Sequence, residues 1–190
     1  MRTSAIARWV VKYTNLERKK RGIKPLRTHK ALTKAAIKYS KILRKHRGLS
    51  HYLDGTPQSR ATRAGFPNSY VGENCALVYV KRKESPKAVA KELMRLWMKS
   101  EGHRWNILHA SYNRIGVGVA LRWNSKLRMY EVYAVQMFGY LPPKQSKIVT
   151  ISNACSFIVS TVRTWIFITI LVGIVCLIIC GISNLFSFSS

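Results

Sequence analysis

Trp165 to Ile182 reads WIFITILVGIVCLIICGI, 18 consecutive residues without a charge. At about 1.5 Å per residue, a helix of that length spans roughly 27 Å, close to a bilayer's hydrocarbon core. Length and purity favour a membrane helix over a buried core helix. The chain is accordingly read as a folded domain at residues 1–141, a linker and juxtamembrane segment at 142–163, and a single transmembrane helix at 164–186.

The charge divides at the same place. Of 33 Lys and Arg, only Arg163 lies beyond Lys147, and all seven Asp and Glu lie before it. A domain this basic attracts polyanions, either anionic lipid head groups or nucleic acid. Lys144, Lys147 and Arg163 precede the apolar run and nothing charged follows it, which favours a cytoplasmic domain. The N-terminal MRTSAIARWVVKYTNLERKKRG is not patterned like a secretory signal. Ile6, Trp9, Val10, Tyr13 and Leu16 recur by threes and fours, the stripe of an amphipathic helix. Four cysteines, with Cys75 alone in the domain, do not form a disulfide framework.

Periodicity predicts a first helix from about Ser4 to Arg21 and a second from about Thr28 to Arg47, with Thr28 as its cap. A short helix is expected from about Pro57 to Ala64, and a longer one from Pro86 to about Ser100, capped by Ser85. VGENCALVYV at 71–80 fits either a short helix or a strand. In SEGHRWNIL, Ser100 to Leu108, Gly102 is expected to turn the chain sharply and aim His103 into a cleft. Ile115, Val117, Val119 and Leu121 alternate with small residues, Tyr130 to Phe138 is apolar on both faces, and Asn124-Ser125 separates the two as a turn. Strands apolar on both faces need cover on both sides, so the fold class is α/β, an α-β-α sandwich.

Several motifs now fall in one order: LSH at 49–51, GENCA at 72–76, SEGHRWNIL at 100–108, YNRIGVGVA from Tyr112 and YAVQMFG from Tyr133. Asn15, Arg18 and the AxxYS at 36–40 fit with them. Together they resemble the CAP superfamily of SCP-like domains, in its short microbial form, over about residues 5 to 140. The resemblance implies an α-β-α sandwich, and it implies a domain that usually works outside the cell, against the charge pattern. It also implies a cleft with two histidines and two glutamates. Carried over, these are His51, Glu73 and His103, with Glu92 in the helix before His103 as the second glutamate; Glu101 is nearer in sequence but lies at the turn.

Two imidazoles and a carboxylate suit Zn²⁺ or another divalent cation with a position left open. The same groups could hold and move a proton without metal. They could equally organise a polar cleft, with His51 donating to a loop carbonyl and Glu73 accepting local amides. His29, His46 and His109 read as surface residues. There is no HExxH and no GxSxG, so local motifs support neither a metalloprotease nor a serine hydrolase. The expected function is a membrane-anchored binding module for a lipid or peptide ligand, rather than an enzyme, with its basic face on anionic head groups. The alternatives are a metal-dependent hydrolase and non-specific nucleic-acid binding. No helix-turn-helix, zinc finger or aromatic RNA-binding stretch supports the last.

Overall fold

The computed structural model describes residues 1–142 and, beyond them, only Ile170. The transmembrane helix expected at 164–186 and nearly all of the linker therefore lie outside the described residues. Among the described residues no helix is long and apolar enough to cross a membrane. Met1–Pro142 forms one compact unit.

Nine elements follow in chain order: α1 (Thr3–Lys19), β1 (Arg27–Thr28), α2 (Lys30–His46), α3 (Pro57–Arg63), β2 (Val71–Val80), α4 (Pro86–Lys99), α5 (Glu101–Leu108), β3 (Arg114–Asn124) and β4 (Met129–Gly139). The four strands form one sheet in the order β1-β3-β4-β2. β4 pairs antiparallel with β2 and β3, while the two residues of β1 run parallel to the start of β3. Side chains alternate between two cores. Ala76, Val78, Val117, Val119, Val132 and Ala134 meet α1, α4 and α5 through Ile6, Val10, Leu93, Trp97 and Ile107. Cys75, Tyr133, Val135 and Met137 meet α2 and α3 through Leu32, Ala36, Tyr39 and Ala61. The sandwich of mixed α/β class is thus present, with helices on both faces of the sheet.

Two glycines set the closeness of the α2 layer. A Cβ at Gly116 would fall on the α2 backbone at Leu32 and Thr33, and one at Gly118 on the backbone at Ala36 and Ile37. The small residues alternating with valines in RIGVGVA are therefore a helix-packing face. On the other side, buried Arg18 fastens three segments. It donates to the carbonyls of Lys24, Ile107, His109 and Tyr112 at 2.8–3.0 Å. Asn15 exchanges two hydrogen bonds with the backbone of Leu26, fixing the loop that becomes β1.

One open expectation is decided and three change. Val71–Val80 is a ten-residue strand, paired along its length with β4. Thr28, where the second helix was expected to begin, belongs with Arg27 to a two-residue strand, and the helix starts at Lys30. His29, not Thr28, caps α2, its Nδ1 accepting from the Ala31 amide at 3.3 Å. SEGHRWNIL contains no turn at Gly102. The chain bends at Ser100, whose ψ of 128° ends α4, and Glu101–Leu108 is a helix of its own.

Candidate functional site

His51 lies in the loop after α2, where no regular structure fixes it. Two side chains do. The Tyr39 hydroxyl donates to the Ser50 carbonyl at 2.5 Å and accepts from the Leu53 amide at 3.4 Å. Arg60 of α3 donates through Nη1 to the carbonyls of His51, at 3.0 Å, and Gly55, at 2.5 Å. Its guanidinium lies over the Tyr39 ring, 3.5 Å from the centroid. These contacts tie the loop to α2 and α3, so the His51 ring is held from behind.

Arg60 has a second task. Its Nη2 donates to Glu73 Oε2 at 2.6 Å, and both side chains are almost completely buried. The other carboxylate oxygen, Oε1, lies 2.8 Å from His51 Nδ1. Glu73 thus bonds Arg60 through one oxygen and His51 through the other, and the bond at Nδ1 leaves Nε2 of His51 directed away from the carboxylate. Nε2 has no hydrogen-bond partner among the described residues, and the side chain is 41% exposed.

His103 reaches the same place from the other layer. β2 is an outermost strand of the sheet. Glu73 points toward α3, while Asn74 points toward α5 and donates to the His103 carbonyl at 3.0 Å. The His51 ring thus bonds on the α3 side of β2, and the His103 main chain is tied on the α5 side. Burial holds the His103 pKa below the usual histidine value, and the nearby His51 lowers it further. Burial thus favours the uncharged His103 imidazole at neutral pH, and that ring has a lone pair to offer.

The helix that carries His103 is positioned by a buried chain of amides. Asn106 donates to Asn74 Oδ1 at 2.9 Å, Asn74 donates to Gln136 Oε1 at 3.0 Å, and Gln136 donates to Thr14 Oγ1 at 2.8 Å. This chain links α5, β2, β4 and α1. No periodicity singles out Asn74, Asn106 or Gln136; the only sequence signal was their place inside GENCA, SEGHRWNIL and YAVQMFG.

Not every expected residue joins. Glu92 lies on α4 in an ion pair with Arg95, at 2.6 and 2.8 Å, outside the group around Glu73. Arg95 holds its carboxyl below the usual range. Glu101 is exposed in the first turn of α5. Cys75, by contrast, had been read only as a lone thiol, and it belongs to the cluster. Ligand atoms of His51, Glu73 and Cys75 lie within 4.8 Å of one another. Burial, with Glu73 beside it, pushes its pKa far above the ordinary thiol value, so without a metal ion the thiol stays protonated and is a poor nucleophile.

The family model for CAP, the cysteine-rich secretory protein family, matches residues 11–138. The chain belongs to the CAP family. A CAP relative, "Uncharacterized protein YkwD" of Bacillus subtilis, is 36% identical over 117 residues, which are 60% of this chain and 42% of the relative. The chain thus spans less than half the length of that curated relative. Among solved structures, an extracellular protein of Bacillus anthracis containing a SCP domain superposes with a TM-score of 0.58 at 24% identity, covering 73% of this chain and 41% of that one. An outer surface protein of Borrelia burgdorferi superposes with a TM-score of 0.55 at 18% identity, covering 75% and 97%. These two structures share the CAP fold seen here. In this chain the edge strand β2 carries Glu73, bonded to the His51 ring, and Asn74, bonded to the His103 carbonyl.

The residues fit a divalent cation only in part. His51 and His103 carry imidazole nitrogens of the kind zinc accepts. Ligand atoms of His51, Glu73 and Cys75 lie close enough together to share an ion, while both oxygens of Glu73 are engaged by Arg60 and His51.

Proposed function

We propose that this CAP domain is a membrane-tethered binding module, and that ligands enter its cleft through His51 and His103. The observation that carries the reading is the state of Glu73. A general base needs a free carboxylate, and Glu73 is neutralised by Arg60 and bonded to His51. What the cleft offers outward is a pair of imidazoles, His51 and His103. These would hold Zn²⁺ or a similar ion, which would supply an open coordination position for a polar group of a lipid or peptide. The buried Cys75 thiol gives no nucleophile in its place.

The tether rests on the uncharged run Trp165–Ile182. The basic surface would then sit against anionic head groups, at about 1 kcal/mol per suitably placed cation. Relatives described as extracellular and as an outer surface protein favour an external domain, whereas the cations before the apolar run favour an internal one. Protease protection on sealed membranes separates the two sides.

The cleft is tested by calorimetric Zn²⁺ titration of the full chain in neutral detergent, with a His51→Ala/His103→Ala variant alongside. The parent should bind one ion and the folded variant none. A parent that binds no divalent ion removes the metal from this reading, and a variant that binds as well as the parent removes the two histidines.

A further inference from the structure

β2 carries the cleft at one edge of the sheet; the opposite edge is unfinished in a different way. β1 covers β3 only at Arg114 and Ile115. Its last ladder bond runs from the His29 amide to the Ile115 carbonyl at 2.9 Å, after which the chain turns into α2. β3 continues to Asn124 with β4 on its inner side alone. The backbone groups of a strand alternate in direction, so Val117 and Val119 face the same way as Ile115, outward. Among the described residues neither Val117 nor Val119 has an outward main-chain partner. Both residues are buried nonetheless, at 4% and 7% exposure. An unpaired strand edge offers its N–H and C=O groups to another chain.

This edge opens into a groove. α1 walls one side with Ala7, Arg8 and Val11, and α2 walls the other with Thr33, Ile37 and Lys41; the space holds about 480 Å³. Its floor is the β3 edge at Val117 and Val119. Ile37, at 40% exposure, is an apolar side chain facing this space without a covering element. The charged residues lining the groove, Arg8 and Lys41, are both cations, and no carboxylate lies among the lining residues. The outward stretch from Val117 to Leu121 is about 13 Å long, room for four or five extended residues.

We propose that this groove is a second binding site, independent of the histidine cleft, which takes an extended acidic peptide as an added strand beside β3. The peptide continues the line that β1 begins. Its main chain pairs with Val117 and Val119, its apolar side chains lie against Val11 and Ile37, and its carboxylates meet Arg8 and Lys41. Main-chain pairing supplies affinity and the flanking side chains supply selectivity, as in other sheet-edge recognition.

The probe is a fluorescein-labelled heptapeptide of alternating valine and glutamate, measured by fluorescence anisotropy against the full chain in neutral detergent. Binding should weaken with salt. It should be lost when alternate peptide amides are N-methylated on the pairing edge, and when lysine replaces glutamate. The Arg8→Glu/Lys41→Glu variant, altered only at exposed helical positions, should bind on the order of tenfold more weakly, the effect of two exposed ion pairs. Hydrogen exchange should slow in residues 115–121 when peptide is added. No binding of the probe overturns the proposal. So does binding that survives N-methylation, or protection that appears along β2 instead. Protection of β3 without peptide, rising with protein concentration, would give the groove to a second copy of the chain and overturn the peptide reading.

Discussion

Arg60 Nη2 lies 2.6 Å from Glu73 Oε2, and the two side chains are 2% and 1% exposed. In so dry a place each charge depends on the other. Arg60 Nε has no partner, so the pair carries its full desolvation cost without every hydrogen bond in place. Arg60→Met leaves buried Glu73 bonded to His51 but without its guanidinium partner and should cost about 3–5 kcal/mol of stability. Arg60→Met with Glu73→Gln should recover most of that loss. Urea denaturation of the two variants and the parent checks it. A double variant as unstable as the single one would show that Arg60 acts through the carbonyls of His51 and Gly55 instead.

His103 makes the fold sensitive to acid. Burial lowers its pKa in the folded protein, first by desolvation and then by the neighbouring His51. The unfolded chain therefore binds the proton more readily, and stability falls as pH drops below the ordinary histidine value of about 6.5. The loss levels off once pH passes below the folded pKa. Thermal melts between pH 7.5 and pH 5 should show this decline, and His103→Gln should flatten it. A His103→Gln variant with the parent's pH profile would place the decline elsewhere, for example at His109, whose pKa burial also lowers.

Cys75 should resist alkylation. Its pKa is raised by burial and by Glu73, and the residue is 5% exposed. Iodoacetamide at pH 8 should leave it unmodified in the native protein and modify it fully in urea, as read by peptide mass spectrometry. Rapid native labelling of Cys75 would mean a thiolate near His51 and would revive a nucleophilic reading of the cluster.

Gly118→Ala should be among the most damaging small substitutions in the domain. The added methyl would fall on the α2 backbone at Ala36 and Ile37, where no side chain can swing away. Overpacking against backbone should cost about 3 kcal/mol or more. Gly102→Ala, whose Cβ meets nothing within 4 Å, is the control and should be nearly neutral or stabilising. Equal melting temperatures for the two variants would remove the close-packing account of β3 and α2.

Much of the fold was legible because it is local. Leu32, Ala36, Tyr39 and Leu43 fall on one face of a helix at any tertiary arrangement, and they are the buried face of α2. Ser85 followed by Pro86 marks a helix start by itself, and α4 begins there. Val71–Val80 was ambiguous because both of its faces are covered, which erases the alternation that identifies a strand. Gly102 misled because a glycine after a helix usually ends one; here the bend had already occurred at Ser100, and Gly102 sits inside α5.

By itself, the sequence determined the helix faces, the two long strands, the order of the motifs and the residue types at His51, Glu73 and His103. Those follow from side-chain periods of two and about 3.6 residues and from short motifs, which need no distant partner. The tertiary structure alone decided what those residues can do. Glu73 is committed to Arg60, 13 residues away in sequence, and the 49–55 loop and α5 are both tied to β2, through His51 to Glu73 and through the His103 carbonyl to Asn74. Glu92, on the helix just before His103, is drawn off by Arg95. Charge compensation and burial depend on distances through space between segments that are remote along the chain, and one-dimensional spacing carries no record of them.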